Sequence, residues 1–395
     1  MTFMKRIVLV GAGHAHLEVI RRGAEFTRAG VEFVVVSPGD FWYSGLATGV
    51  LAGLYPVELD RVDVGSLTRN VGGRFISAAI ERVIPENREI VLADRSTLAY
   101  DFVSLNIGGS VPVEKIQGEP NDPRRFAVKP ISRIWNLHKY IRELLCDSTI
   151  ERPIDIVVAG GGATGVEIAA SIAALVDRTL EARVTAESLG FGGRIDRTLN
   201  RRVSLKLLAA TPRILIDAPA RAAESIERTL LKRDIEIITN TYADRIEGDR
   251  VLTRDGRSFR FDVLVEANGL RVSDPIIRSN LPYDDSGLIV DETLRSIADP
   301  LVFAAGDCAS PRGTKLVKAG VYAVRQASIL AFNLLASVEG REPRRFHPRK
   351  KILLILNLGD GTGLATWGPF WFQGRAAFRL KDRIDRKFLD QYKSH

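Results

Sequence analysis

Cysteine and histidine are scarce in this chain, and their scarcity excludes several kinds of site. The 395 residues include two cysteines and five scattered histidines. Cys146 and Cys308 lie far apart and form no CxxC or CxxxxC pair, which excludes a disulfide framework and a cysteine-rich zinc site. We therefore expect a protein of a reducing compartment, without a metal site.

Long apolar runs are also missing. No run approaches the roughly 18 residues that a membrane-spanning helix requires, and the N-terminus enters a predicted strand at once, without the pattern of a signal peptide. The hydrophobic fraction of 45% and the charged fraction of 26% are typical of a folded globular protein. We expect a cytoplasmic protein, or one bound peripherally to the cytoplasmic face of a membrane.

The net charge of +8 does not single out nucleic acid as a partner. Basic residues are dispersed along the chain and become dense only at 344–351 and 375–387. Anionic dinucleotides or an anionic lipid surface account for this charge as well as DNA does. We expect no nucleic-acid partner.

What the chain does contain is one local pattern that occurs twice. Periodicity predicts a strand at 6–10, a helix at 14–28 and a strand at 32–36, and it predicts a strand, a glycine turn and a helix again within 155–176. The chain is long enough for two or three domains. The predicted fold class is α/β, with two Rossmann-like dinucleotide-binding domains and a C-terminal α+β region.

The second copy has a complete GxGxxG turn, formed by Gly160, Gly162 and Gly165. The first glycine of such a turn permits a tight backbone, the second lets a pyrophosphate approach, and the third lets helix and strand pack closely. The N-terminus of the helix adds free N–H groups and a partial positive charge. With a strand before it and a helix after it, the turn predicts a dinucleotide site.

The first copy keeps Gly11 and Gly13 but has His16 in place of the third glycine. Two interpretations stay open: His16 packs between helix and sheet, or His14 or His16 contacts a phosphate or a flavin. Because the two glycines nearest the pyrophosphate are present, we interpret this site as intact.

An acid at the end of the second strand commonly binds the ribose. In the first unit Ser37 holds that place and can bond a ribose hydroxyl, more weakly than a carboxylate would. In the second unit "ARVTAESLGFGGR" offers Glu187, which would accept from the 2′-OH and repel a 2′-phosphate, favouring NADH over NADPH; a solvated loop acid is the alternative. Asp307, after the apolar "VFAAG" and before a predicted helix, suits a ribityl hydroxyl of a flavin.

The order of "GAGHAH", "NIGG", "GGGATGVE", "EANG" and "FAAGDC" resembles the two-dinucleotide-domain flavoproteins of the pyridine nucleotide–disulfide oxidoreductase superfamily. Within it, the chain is similar to the branch of type II NADH dehydrogenases and sulfide:quinone reductases. "SPGDFWYSGLATGVLAG", "VKPISR", "KAGVYAVRQ" and "FRLKDRIDRKF" are similar to the oxidoreductase module fused to selenide, water dikinase, although no kinase segment is present.

The resemblance implies FAD in the N-terminal unit and NAD(H) in the middle unit. The implied domains are an FAD-binding domain in two parts, 1–125 and 273–340, an NAD-binding domain at 126–272, and a C-terminal region at 341–395. Glu167 is expected near the nicotinamide, and Gly320 and Gln326 on the helix after Asp307. The implied cofactor-binding residues are Gly11, Gly13, His14, Ser37, Tyr43, Ser44, Gly45, Gly108, Lys129, Gly160, Gly162, Gly165, Glu187, Gly269, Asp307 and Gly320.

The simplest implied activity is hydride transfer from NADH to flavin, followed by electron transfer to an acceptor, with a quinone favoured. Glu167, Lys318 and Cys308 are the candidate catalytic residues. Residues 38–60 lack the cysteine pair of disulfide reductases, and Cys308 has no nearby partner in sequence, which disfavours dithiol chemistry. Two alternatives remain: a sulfur- or selenium-compound oxidoreductase that uses Cys308, and a flavin-binding regulatory protein of low turnover, which the departures at His16 and Ser37 keep open.

The C-terminal segment predicts a basic amphipathic helix. Its apolar stripe is Ala377, Leu380, Ile384 and Phe388, and the basic residues around the stripe are Arg379, Lys381, Arg383, Arg386 and Lys387. Such a helix can lie on an anionic membrane, or its stripe can pack on the protein or on a second subunit. Peripheral membrane contact and a homodimer therefore both stay open.

Overall fold

Two parallel five-stranded sheets form the frame of the molecule. The computed structural model describes residues 4–147, 149–188, 203–349 and 351–393. Each sheet has helices packed on it, which confirms the predicted α/β class. A small C-terminal sheet and a final helix complete the described chain.

The first sheet has the strand order β20–β9–β1–β2–β5, with every neighbouring pair parallel. Its strands are β1 (Lys5–Val10), β2 (Val31–Ser37), β5 (Arg74–Ser77), β9 (Phe102–Leu105) and β20 (Val302–Ala304). Since β20 follows the middle unit in sequence, the chain leaves the first unit and later returns to it.

The helices of the first unit include one break that the periodicity did not predict. They are α1 (His14–Arg21), α2 (Gly23–Arg28), α3 (Ser44–Leu51), α4 (Val64–Asn70), α8 (Asp274–Ile277) and α9 (Gly320–Glu339). The predicted helix at 14–28 is interrupted between α1 and α2, where a Cβ on Gly23 would come within 2.4 Å of Val71. The glycine lets the start of α2 lie against that neighbour.

Short antiparallel and mixed strands surround the first sheet. They are β3 (Phe41–Trp42) with β4 (Arg61–Val62), β6 (Ile80–Ile84) with β7 (Glu89–Leu92) and β8 (Thr97–Ala99), and β18 (Tyr283–Asp284) with β19 (Gly287–Val290) and β21 (Ala309–Pro311). The strands β6, β7 and β8 pair in an antiparallel layer.

The second sheet has the order β10–β17–β11–β12–β13 and is parallel throughout. Its strands are β10 (Arg125–Ala127), β11 (Ile154–Ala159), β12 (Val203–Leu208), β13 (Ile235–Ile238) and β17 (Val263–Glu266). Its helices are α5 (Ser132–Cys146), α6 (Ala163–Ser188) and α7 (Ala220–Leu231). An antiparallel sheet of β14 (Ala243–Glu247), β15 (Arg250–Thr253) and β16 (Ser258–Arg260) lies beside it.

The C-terminal region packs on both units. It consists of β22 (Leu353–Asn357), β23 (Gly363–Trp367), β24 (Phe370–Gly374) and α10 (Arg375–Leu389). Leu356 and Leu364 belong to the apolar core of the second unit, whereas Phe388 and Leu389 belong to that of the first. Arg178 of α6 donates to the carbonyl oxygen of Gly359 at 2.8 Å, which fixes the small sheet to the second unit.

Helix α9 is long and apolar enough to cross a membrane by length and composition, contrary to the expectation that no such run exists. Of the most apolar 18-residue stretch of α9, 56% is buried inside the protein. Leu330 and Leu334 are fully buried in the core that α9 shares with Leu17 and Ile20 of α1. These contacts are those of a core helix.

His16 is a packed core residue, the first of the two interpretations that the sequence left open. Its side chain is fully buried, Nδ1 lies 2.5 Å from the backbone oxygen of Gly11, and Nε2 lies 2.8 Å from Oγ of Ser104. Burial lowers the pKa of His16 to about 4, so the imidazole is neutral at pH 7. Nδ1–H then donates to Gly11, and Nε2 accepts from the Ser104 hydroxyl.

Replacing His16 tests this account. His16→Gly restores the usual motif but leaves two buried oxygens without their partner, so we expect the free energy of unfolding to fall by about 1–3 kcal/mol. Urea denaturation followed by circular dichroism measures it. His347→Ala, at an exposed histidine, is the matched control and should change it by less than about 0.5 kcal/mol. An unchanged midpoint for His16→Gly would contradict the assigned role.

Candidate functional site

A cavity of about 890 Å³ lies where the first unit faces the second. The glycine turn after β1 and the segment after β9 form its floor, and residues within 127–133 and 271–275 complete its lining. β1 and β9 are neighbouring strands of the first sheet. From β1 the chain continues to β2 on one side, and from β9 it returns to the sheet at β20 on the other side. Open parallel sheets bind ligands where the connections diverge in this way. The volume is within the range of small-molecule and cofactor sites.

Asn106, directly after β9, organises the floor of this cavity. Its Oδ1 accepts from the backbone N–H groups of Ala15 at 3.0 Å and His16 at 3.2 Å, and its Nδ2 donates to the carbonyl oxygen of Ala305 at 2.6 Å. The side chain is almost completely buried. Asn106 is the first residue of the motif "NIGG", but its role was not predicted. A polar side chain at the end of an apolar strand was the available signal.

The first glycine turn is shaped by Asn106 as well. Gly11 has a φ of +81°, which a residue with a Cβ rarely adopts. A Cβ on Gly13 would lie 2.4 Å from Asn106 Oδ1. Both positions therefore require glycine, as the motif predicted, and both line the cavity.

Asp307 and Lys129 face each other in the cavity wall. Lys129 Nζ lies 2.5 Å from Asp307 Oδ2. Burial opposes ionisation of Asp307, but the ammonium of Lys129 outweighs it and holds the pKa of the carboxyl below its ordinary value. An ionised acid and a cation are thus available to a ligand at this point.

The structure brings several other predicted residues to the same cavity. His14, Ser37, Ser44, Gly108 and Gly320 all line it. Burial lowers the pKa of His14 to about 4, so its ring is neutral. The Ser37 hydroxyl donates to the carbonyl oxygen of Gly39 at 3.0 Å and can still accept. That these residues bind a cofactor stays a prediction.

Lys318, Cys308 and Gln326 have protein partners. Lys318 Nζ donates to the carbonyl oxygens of Asp307 at 2.7 Å and of Ser286, and the Cys308 thiol donates to the carbonyl oxygens of Leu105 and Ala305 at 3.3 Å each. Gln326, on α9 as expected, accepts from the N–H of Gly306 at 2.7 Å. These contacts hold the backbone around Asp307. Catalytic roles for Lys318 and Cys308 stay predictions, and both cysteines are free thiols.

The second glycine turn has the geometry that its motif predicts. A Cβ on Gly160 would lie 2.2 Å from the carbonyl oxygen of Ala267, and one on Gly165 would lie 1.7 Å from that of Gly160. Nothing stands within 4 Å of the Cβ position of Gly162, so that side of the turn is open. Gly269, after β17, has a φ of +96° and is equally open.

The placement of Glu187 after a strand is wrong. Helix α6 continues through Ser188, and the second strand of this unit is β12, which begins at Val203. After Gly165 the sequence to Ser188 contains neither glycine nor proline, so nothing in it ends the helix. The rest of "ARVTAESLGFGGR" lies outside the described residues.

Helix α10 differs from its predicted pattern. Ala377 and Phe388 are buried, but Leu380 and Ile384 are 37% and 44% exposed, so the four do not form one stripe. Lys381, predicted at the exposed rim, instead pairs with Asp385 at 2.7 Å and donates to the carbonyl oxygen of Gly45.

A cluster of three acids and one lysine, formed by Asp60, Glu167, Asp385 and Lys381, therefore lies behind the loop of Tyr43, and Asp60 and Asp385 are its buried members. The Tyr43 hydroxyl donates to Asp385 at 2.8 Å, which places Tyr43 and Gly45 behind the cavity lining rather than in it. Glu167 Oε1 accepts from the N–H of Asn357 at 2.7 Å, and burial raises the pKa of Glu167. Burial, with the nearby charge of Asp385, raises the pKa of Asp60 to about 8.

Asp60 makes stability depend on pH in a defined direction. In the folded protein the Asp60 carboxyl has a pKa of about 8 and keeps its proton below that pH. An unfolded aspartate loses its proton near pH ~4. The stabilisation that the protonated Asp60 contributes is complete below pH ~4. It is lost as pH rises through the folded-state pKa of about 8. Relative to Asp60→Asn, the wild type should lose up to about 1.4 kcal/mol of unfolding free energy per pH unit between them.

Urea unfolding of both proteins across that pH interval measures the difference. Asp390→Asn, at an exposed aspartate of the same region, should show no such slope. A stability difference between Asp60→Asn and wild type that stays constant with pH would contradict the assigned protonation.

Comparison with known proteins agrees with this geometry. The family described as pyridine nucleotide-disulphide oxidoreductase matches residues 5–327. Type II NADH:quinone oxidoreductase from Haemophilus influenzae is 28% identical over 426 residues, which cover 95% of this chain and 91% of that protein.

Two solved structures share the fold. NDH2 from Plasmodium falciparum in complex with NADH gives a TM-score of 0.79 at 15% identity, over 98% of this chain and 97% of that one. Sulfide:quinone oxidoreductase from Aquifex aeolicus gives 0.76 at 15% identity, over 98% and 91%. The superfamily inferred from the motifs is confirmed. The branch within it and the likeness to the dikinase-fused module stay predictions. The chain belongs to the pyridine nucleotide-disulphide oxidoreductase family.

Proposed function

We propose that the protein is an FAD-dependent oxidoreductase that passes a hydride from NADH to flavin and then electrons to a quinone. The observation that carries the proposal is the cavity shared by the two units, with a glycine turn on its floor and the Asp307–Lys129 pair in its wall. The relative from Haemophilus influenzae, whose name is type II NADH:quinone oxidoreductase, supports it over nearly the full chain.

The residues of the cavity fit a flavin dinucleotide. Gly11 and Gly13 leave the backbone of the turn open to a pyrophosphate, next to the N-terminus of α1. Ser37, at the end of β2, can bond the ribose, and the ionised Asp307 can accept from a ribityl hydroxyl. Bound FAD supplies a ring that takes up a hydride and releases electrons.

The chain supplies charge and position to this chemistry. Lys129 and the N-terminus of α9, at Gly320, place positive charge in the cavity wall, where it stabilises negative charge acquired by a bound ring. Hydride transfer needs no general acid or base, so alignment of the two ring systems is the main requirement. The open turn at Gly162 would hold the pyrophosphate of NADH.

The proposal predicts that NADH reduces a bound flavin in the purified protein. Anaerobic mixing with NADH should bleach the flavin absorbance rapidly. Gly165→Ala forces a Cβ onto the Gly160 carbonyl oxygen, so it should keep the flavin but slow bleaching by about a hundredfold, as expected for a misplaced reactant. Gly248→Asn, at an exposed turn position with a φ of +62° that asparagine tolerates, is the control.

Three results would decide against this function. A purified protein that binds no flavin would contradict every flavin-dependent function. A bound flavin that NADH leaves oxidised would favour a flavin-binding regulatory protein. Cys308→Ser should retain quinone reduction, because burial raises the pKa of the thiol and disfavours the reactive thiolate. Loss of activity with the flavin still bound would favour sulfur or selenium chemistry.

We also propose that the protein works in the cytoplasm and binds peripherally to a membrane through its C-terminal region. Trp367, Phe370 and Phe372 are 53%, 69% and 44% exposed, and cross-strand pairing places them on one face of the small sheet. Leu380 and Ile384 of α10 add exposed apolar surface, next to Arg379 and Arg383. Exposed aromatic groups beside basic residues suit an anionic lipid surface.

This surface can be tested without disturbing the core. Phe370→Ser with Phe372→Ser should weaken sedimentation with vesicles of phosphatidylcholine and phosphatidylglycerol by about tenfold or more, since each phenyl ring contributes roughly 1.5–3 kcal/mol when buried. Ile216→Ser, at a 46% exposed residue elsewhere, is the control. Unchanged sedimentation would contradict the proposal, and a homodimer lost only in the double variant would show that a second copy covers this face.

A further inference from the structure

Each unit has an equivalent backbone hydrogen bond at the first glycine of its turn. These two bonds allow the residues of the two units to be matched. The N–H of Gly11 donates to the carbonyl oxygen of Val36 at 2.8 Å, and Ser37 follows. The N–H of Gly160 donates to the carbonyl oxygen of Leu208 at 2.8 Å, and Ala209 follows. Ala209 therefore occupies the position at which dinucleotide folds commonly carry a ribose-binding carboxylate.

Residues 203–216, which the structure describes throughout, include no acidic residue. Ala209 is fully buried, and a Cβ added to Gly161 would lie 2.4 Å from the Cβ of Ala209. The next residue, Ala210, is exposed. The loop then folds back, and the N–H of Leu215 donates to the carbonyl oxygen of Gly161 at 2.8 Å. Asp217, the first carboxylate after β12, lies eight residues beyond Ala209.

The first charged side chain after β12 is a cation, Arg213. Its guanidinium donates to the carbonyl oxygens of Leu215 at 2.8 Å, Ile216 at 2.7 Å and Ala218 at 3.0 Å. Neutral carbonyls fix the position of the guanidinium without cancelling its charge. The first charge that follows the strand end is thus positive, at Arg213, and Asp217 comes four residues later.

We propose that the middle unit accepts NADPH as well as NADH, because Ala209 and Ala210 stand where a carboxylate would repel a 2′-phosphate and Arg213 adds a positive charge in the same loop. The inference rests on the proposed function and concerns the selectivity of its nucleotide site. It replaces the preference for NADH that followed from the misplaced Glu187.

Binding of the oxidised nucleotides tests the inference directly. Calorimetry of the flavin-loaded protein should give dissociation constants for NAD⁺ and NADP⁺ within about tenfold of each other, a difference below about 1.4 kcal/mol. Added salt should weaken NADP⁺ more than NAD⁺, because the extra phosphate charge is screened. A preference of about a hundredfold or more for NAD⁺ would overturn the inference.

Ala210→Asp and Ala210→Asn form a matched pair at this exposed position. The aspartate should weaken NADP⁺ by about tenfold or more with little effect on NAD⁺, and the asparagine should leave both nearly unchanged. Equal effects of the two substitutions would overturn the inference. If both nucleotides bind with similar affinity but neither NADH nor NADPH bleaches the flavin, the proposed function fails while the inference stands.

Discussion

The amide of Asn106 connects the three segments on which the cavity depends. It accepts from the first turn of α1 and donates to the carbonyl oxygen of Ala305, just before Asp307. An amide can accept and donate in this way with one fixed side chain, whereas an ionised carboxylate only accepts and an aliphatic side chain does neither. Gly13 and Gly306 are glycines partly because Asn106 fills the space of their side chains, at 2.4 and 2.6 Å.

The two glycine turns hold the helix that follows them in different ways. In the second unit the helix comes so close that a Cβ on Gly165 would strike the Gly160 carbonyl oxygen. In the first unit the corresponding oxygen, of Gly11, is the acceptor for the imidazole of His16. A buried hydrogen bond thus replaces close backbone packing, and the position of α1 becomes dependent on a neutral histidine rather than on a missing side chain.

The sequence predicted those features of the fold and the site that depend on neighbouring residues. Glycine spacing and apolar runs located both turns, the α/β class and the strand before Asp307, which are set by residues close together in the chain. The end of β12 was missed because no acid marks it, and a helix of 26 residues stood where a strand was expected. The match between Gly11 and Gly160 would have located Ala209, but it depends on hydrogen bonds to distant strands. Contacts such as Tyr43 with Asp385, 342 residues apart, leave no local signal.

Helix α10 joins the exposed apolar surface to the wall of the cavity. Phe388 stacks on Tyr43 with ring centroids 4.8 Å apart and lies 5.7 Å from His14, a cavity residue, while Ile384 on the same helix is exposed. A helix with its side chains is about 10–12 Å across. A lipid or a second subunit that moved α10 would therefore act on His14 through one layer of packed side chains. Under the proposed function, this contact brings the proposed membrane-binding surface and the proposed flavin cavity within one helix of each other.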